Sequence, residues 1–101
     1  MNPYSLQTPK DVHGALAKKL RELRLAKGWR QATLAERSGV SLASLRRFET
    51  TGQISLQNLL NLAFALGRLD DFDTLFQQPE ARSIAELEAL ENRPRRKRGR
   101  I

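Results

Sequence analysis

The sequence predicts an all-α fold of five helices, followed by a short extra C-terminal helix and a disordered basic tail. Apolar residues make up 40% of the 101-residue chain, mostly as Leu and Ala, and aromatic residues only 6%, which favours helices over strands. The apolar residues recur at spacings of three and four, as on one face of a helix. Glycines follow these stretches at positions typical of helix ends. The length suffices for one compact core.

Local start and stop residues define the first helix. Thr8 suits an N-cap, Pro9 a first helical position, and Gly28 ends the helix at about Lys27. Residues 1–8 then form an N-terminal arm, and residues 9–76 form the main domain. We expect the inward face of the first helix to carry Leu16, Leu20 and Leu23.

Two short helices follow, joined by a turn at Gly39. The second helix is predicted over residues 31–38, and the third begins after an N-cap at Ser41 and ends near Thr50 or Thr51, before Gly52. Leu34 and Ala35 of the second helix and Leu45 and Phe48 of the third are predicted to face the core. Leu42, Ala43, Arg46 and Arg47 are predicted to lie on the outer side.

The remaining helices are predicted from their apolar pattern. Ser55 suits the N-cap of a fourth helix that Gly67 closes, and a short fifth helix is predicted over residues 70–76. Residues 77–92 form an acidic amphipathic segment, suited to dimerisation or partner contact. We expect the fourth helix to bury most of its apolar residues, which are Leu56, Leu59, Leu60, Leu62, Ala63 and Leu66.

Charge is distributed unevenly. Residues 1–69 carry a net charge of +7, residues 70–92 carry −6, and residues 93–101 carry +6. A basic body and a basic tail favour a polyanionic partner. The tail is compatible with phosphate binding, minor-groove insertion or an acidic protein partner. Its basic residues are Arg93, Arg95, Arg96, Lys97, Arg98 and Arg100.

The same sequence excludes several classes of function. The chain has no cysteine, so disulfides and thiolate metal sites are absent. His13 is the only histidine and cannot by itself form a metal site or a catalytic triad. We find no apolar run long enough to span a bilayer and no secretory signal. We therefore expect a cytoplasmic, nucleoid-associated protein that is not an enzyme, carries no metal and needs no cofactor.

The two short helices have the spacing of a helix-turn-helix unit over residues 31–49. Ala35, the fifth residue counted from Gln31, is small enough for close helix approach, and Gly39, the ninth, permits a left-handed turn. The second of these helices has a basic outer face, as expected of a DNA-reading helix.

These residues resemble the Cro/phage-repressor-like, or XRE, helix-turn-helix regulators, which have a five-helix lambda-repressor-like domain. The resemblance covers residues 12–75 and is strongest over residues 28–41, GWRQATLAERSGVS. It implies base contacts from Leu42, Ala43 and Arg47. It also implies an ion pair between Arg24 and Glu49 that orients the third helix. Contacts with the DNA backbone are expected from Arg30, Gln31, Ser41, Ser44, Arg46 and Thr50.

The sequence also departs from the XRE pattern. Arg30 stands where relatives often have a Thr, Ser or Asn N-cap, so the second helix is expected to start less firmly. Thr50 and Thr51 replace the frequent Asn or Arg before Gly52.

The function predicted from the sequence is a sequence-specific repressor that binds double-stranded DNA. A homodimer on an inverted-repeat operator is expected, because one recognition helix reads few base pairs. The overall layout resembles HipB-like antitoxins, which repress their own operon and bind a HipA-like kinase toxin. Phage-type repressors and restriction-modification controllers share the motif. A protein-interaction module that mainly neutralises a partner and an RNA-binding protein led by its tail are alternatives.

Overall fold

The computed structural model describes residues 8–78, and within them every regular element is a helix. The elements are α1 (Pro9–Ala26), α2 (Gln31–Ser38), α3 (Leu42–Thr51), α4 (Leu56–Ala65) and a 3₁₀ helix (Leu69–Thr74). The predicted all-α fold with five helices is confirmed for this part of the chain. The predicted C-terminal helix and basic tail lie outside the described residues, as does most of the N-terminal arm.

The helices begin where side chains can cap them. The Thr8 hydroxyl accepts a hydrogen bond from the Asp11 amide, and the Asp11 carboxylate accepts one from the Thr8 amide, which forms a capping box at α1. Ser41 and Ser55 cap α3 and α4 by accepting from the amides three residues ahead. Arg30 precedes α2 without a side-chain capping bond, as its residue type predicts.

The turn between α2 and α3 depends on Gly39. This residue has φ +76°, the left-handed conformation that glycine adopts without steric cost, and its amide bonds to the carbonyl of Ala35. The Ser38 hydroxyl accepts from the amide of Val40, whose side chain is buried. The local sequence therefore sets the angle at which α3 leaves α2.

One apolar core holds α1 to α4 together. Its largest completely buried side chains are Leu34, Leu45, Phe48 and Leu62. Every element from α1 to α4 supplies buried residues to it. Because α3 contributes Leu45 and Phe48 from one face only, its opposite face stays outside the core.

Some predicted core positions are wrong. Leu16 is 40% exposed and Leu56 is 67% exposed, although both continue the apolar stripe of their helix. Periodicity identifies a face, but it does not show whether another element covers the whole of that face.

The fifth helix differs from its prediction in type and end point. It is a 3₁₀ helix ending at Thr74, and Phe76 follows it with φ +57° and 99% exposure. Asp is a weak helix former, and six residues are too few to stabilise an α-helix in isolation. Arg68 instead pairs with Asp71 across one turn at 3.0 Å.

Candidate DNA-binding surface

The third helix, α3, has one buried face and one open face. Leu45 and Phe48 are 0% and 1% exposed, respectively. The open face carries two arginines and a small residue, since Ala43, Arg46 and Arg47 are all exposed. An exposed basic helix face of this kind is suited to the major groove, which admits an α-helix.

The residues predicted to contact bases differ in exposure. Ala43 and Arg47 lie in the open, whereas Leu42 is half-buried and packs partly against the core. Leu42 therefore has less free surface for a thymine methyl group than the sequence pattern suggests. The base contacts themselves stay predictions.

The N-terminus of α3 is organised by two serines. Ser41 Oγ accepts from the Ser44 amide at 3.1 Å and donates to Ser44 Oγ at 2.8 Å. The capping bond occupies one of the free amides of the first turn, and the others keep their N–H groups for an acceptor outside the helix. The positive end of the helix dipole adds to their attraction for a phosphate.

The predicted ion pair between Arg24 and Glu49 is present. Arg24 Nε and Nη2 donate to the two carboxylate oxygens of Glu49, each at 2.9 Å, a bidentate arrangement. The two side chains are only 7% and 5% exposed. Arg24 Nη1 also donates to the carbonyl of Trp29 at 2.8 Å. The pair thus connects α1, the turn after it and the C-terminal part of α3.

Gln31 extends this network to α2, which sequence reasoning missed. Its Nε2 donates to Glu49 Oε1 at 3.1 Å. The half-buried side chain therefore braces the start of α2 against α3. A phosphate contact from the Gln31 amide group would use its second N–H, because its first is held by Glu49.

Arg47 has a neighbour that the sequence did not predict. Its Nη2 donates to Gln53 Oε1 at 2.6 Å, across the end of α3. Gln53 also lines a small polar hollow of about 370 Å³ beside Arg47, together with Ser44 and the first turn of α4. No local sequence signal links Arg47 to Gln53, because the contact depends on how the chain turns at Gly52.

Trp29, in the turn between α1 and α2, lies half-buried against the core. The guanidinium of Arg37 lies 4.6 Å from its ring centroid and the Lys27 ammonium 5.3 Å from it. Both distances suit cation–π attraction. The ring therefore holds two cations beside the turn between α1 and α2.

Residues 8–78 show no metal site and no membrane-spanning helix. No cluster of His, Asp and Glu in this range is arranged to hold a metal ion. None of its helices combines the length and hydropathy needed to cross a membrane. The basic residues of the tail, at positions 93–100, lie outside the described residues. Their role stays a prediction.

Comparison with known proteins agrees with this geometry. A family model described as a helix-turn-helix domain matches residues 15–75, which include all of α2, α3, α4 and the 3₁₀ helix. Searches against curated proteins and solved structures returned no match. The matched range covers more than half of the chain and contains the open face of α3. The chain therefore belongs to the helix-turn-helix domain family of DNA-binding regulators.

Proposed function

We propose that this protein is a sequence-specific transcriptional repressor that reads double-stranded DNA with α3. The observation that carries the proposal is the open face of α3, which places Ala43, Arg46 and Arg47 outside the core while Leu45 and Phe48 hold the helix firmly. A rigid helix with a basic outer face is the part that major-groove readers share.

Arg47 and Arg46 have separate roles in this proposal. Arg47 offers two donors to O6 and N7 of a guanine, releasing Gln53 when it does so. Leu42 and Ala43 contact thymine methyl groups through their exposed atoms. Arg46 and Thr50 bind phosphate, as do Arg30, Gln31, Ser41 and Ser44 around the two helix starts.

The biological unit we propose is a homodimer on an inverted-repeat operator. A single α3 reaches only a few base pairs, and two copies related by a two-fold axis double the site that is read. Exposed apolar side chains outside the core, among them Phe64 and Phe76, support a contact between copies. A duplex with one half-site deleted should bind much more weakly than the full site.

A narrower proposal concerns the biological setting. The basic tail and the layout of the helices support a HipB-like antitoxin that represses its own operon and binds a HipA-like kinase toxin. We expect a kinase gene directly downstream of the gene for this chain. We also expect the product of that gene to co-purify with this chain. A phage-type or restriction-modification neighbourhood would favour the other repressor classes instead.

Substitution of the two arginines should produce different defects. Arg47→Ala should lower discrimination at one base pair by roughly fivefold to 150-fold, the effect of losing one bidentate pair. Arg46→Ala should weaken binding to all duplexes alike and reduce the salt slope by about 1. Fluorescence anisotropy at several salt concentrations, with Lys18→Ala as the control for loss of one exposed charge, separates the two outcomes. Identical defects in both variants would contradict the assigned roles.

The test of the function itself is selection from a pool of random duplexes. The wild-type chain should enrich one motif arranged as an inverted repeat. Arg47→Lys keeps the charge and loses the planar fork, so it should retain overall affinity but enrich a relaxed motif. Enrichment of no motif by the wild type would contradict sequence-specific recognition. Preference for RNA or for a protein partner would favour the other classes of function.

A further inference from the structure

An apolar groove lies on a surface separate from the polar hollow beside α3. It has a volume of about 680 Å³ and is enclosed by α1, α4 and the 3₁₀ helix. Among its lining residues are Leu16, Leu23, Leu59, Ala63, Phe72 and Leu75. Two of them, Leu16 and Leu75, are 40% and 54% exposed, so the groove presents apolar surface that the described residues do not cover.

The described residues end at Gln78, three residues after a residue of this groove. Leu75 lines the groove, and Phe76 follows with φ +57°, a left-handed conformation that changes the direction of the backbone. Residues 79–82 then provide a connection that reaches about 13 Å when extended. Residues 83–91 therefore begin within reach of the groove.

The sequence of residues 83–91, SIAELEALE, suits an apolar groove. Ser83 and Glu86 have the spacing of a capping box, and Ile84, Leu87 and Leu90 fall on one stripe of a helix. A nine-residue helix is unstable alone in water, so it needs a surface to pack against. It would be about 13 Å long.

Charge also favours this segment as the occupant. Glu86 and Glu88 flank the apolar stripe on its two sides, and the groove is bordered by the cationic side chains of Lys19 and Arg68. Glu22 and Asp71 also lie at the groove, and Asp71 is paired with Arg68. These four side chains cancel in charge, so the attraction comes from the basic body as a whole, which carries +7 over residues 1–69, and acts on a segment with three glutamates and no base.

We propose that residues 83–91 of the same chain pack their apolar stripe into this groove as a further helix of the domain. The proposal is independent of DNA recognition, because the groove is formed by α1, α4 and the 3₁₀ helix and contains no residue of α3. It assigns Ile84 and Leu87 to the core of one protomer. A dimer contact then uses other exposed apolar side chains, such as Phe64, which is 73% exposed.

A spin label tests this directly in the full-length chain, because the sequence has no cysteine and a single introduced one is labelled uniquely. Ala89→Cys lies on the side of the segment opposite the stripe. A nitroxide there should broaden the methyl resonances of Leu16, Leu23 and Leu59 more than that of Ile54, which lines the polar hollow beside α3. Thr50→Cys, labelled on α3, is the control and should reverse this order.

Two further measurements make the outcome decisive. Adding Leu87→Asp to the labelled chain should abolish the broadening, whereas Glu88→Gln should leave it. Spin-labelled chains mixed with isotope-labelled, spin-free chains should show no such broadening in the latter. Broadening in that mixture would show that the groove binds the segment of a second copy. Absence of broadening in every sample would show that residues 83–91 do not bind in the groove. Either result overturns the proposal, and neither bears on DNA binding.

Discussion

Glu49→Ala should lower the free energy of unfolding by about 3 to 5 kcal/mol, the cost of leaving one charge of a buried pair uncompensated. The guanidinium of Arg24 would remain almost completely buried, with the carbonyl of Trp29 as its described acceptor. Gln31 would lose its acceptor as well. Urea denaturation followed by Trp29 fluorescence and by circular dichroism measures the loss.

A double variant separates stability from positioning. Arg24→Met with Glu49→Leu replaces the pair by apolar side chains of similar size, and its cost should be only about 1 kcal/mol, because the Trp29 carbonyl loses a donor. If the pair orients α3, this folded variant still binds the selected operator more weakly than wild type. A double variant as unstable as Glu49→Ala would contradict the electrostatic origin of the loss. Unchanged operator affinity would contradict the positioning role.

Gly52→Ala should destabilise the protein by about 2 to 5 kcal/mol, from a left-handed backbone and steric overlap together. Gly52 has φ +79°, and a Cβ there would come within 2.8 Å of the backbone carbon and oxygen of His13. His13 Nδ1 donates to the Gly52 carbonyl at 2.7 Å, so α1 and the end of α3 approach closely at this point. An added methyl group would force the two helices apart.

Gly39→Ala is the matched control. Gly39 has nearly the same φ, +76°, but a Cβ there would meet no atom within 4 Å. Gly39→Ala should therefore lower the free energy of unfolding only by the cost of the left-handed backbone, about 1 to 2 kcal/mol. Thermal or urea unfolding of both variants measures the difference. Equal losses would show that the close approach of α1 and α3 at Gly52 has no energetic consequence.

The boundaries of the helix-turn-helix unit followed from local chemistry. Ser41 and Gly52 mark the two ends of α3, and Gly39 marks the end of α2, because caps and left-handed turns depend on residue types close in sequence. Local sequence was less informative for the last helix, where the 3₁₀ geometry reflects a short segment with few stabilising contacts.

Contacts between distant residues were harder to predict. The ion pair of Arg24 and Glu49 was expected only from the resemblance to XRE regulators. No local sequence pattern predicted the hydrogen bonds from Gln31 to Glu49 and from Arg47 to Gln53. Each bond depends on how the packing of the helices brings two polar side chains together. Exposure within an apolar stripe, as at Leu16 and Leu56, likewise depends on which elements lie beside it.

We propose that Arg47, on the open face of α3, reads a guanine in the major groove. The most direct measurement compares binding to the selected duplex with binding to duplexes that carry a single altered guanine. Replacement by 7-deazaguanine removes the N7 acceptor of the major groove, and replacement by inosine removes the minor-groove amino group. At one guanine, 7-deazaguanine should weaken the wild type but not Arg47→Ala, and inosine should have little effect on either. Major-groove reading by Arg47 would be contradicted if only inosine weakened binding by the wild type. It would also be contradicted if 7-deazaguanine weakened binding equally in the wild type and in Arg47→Ala.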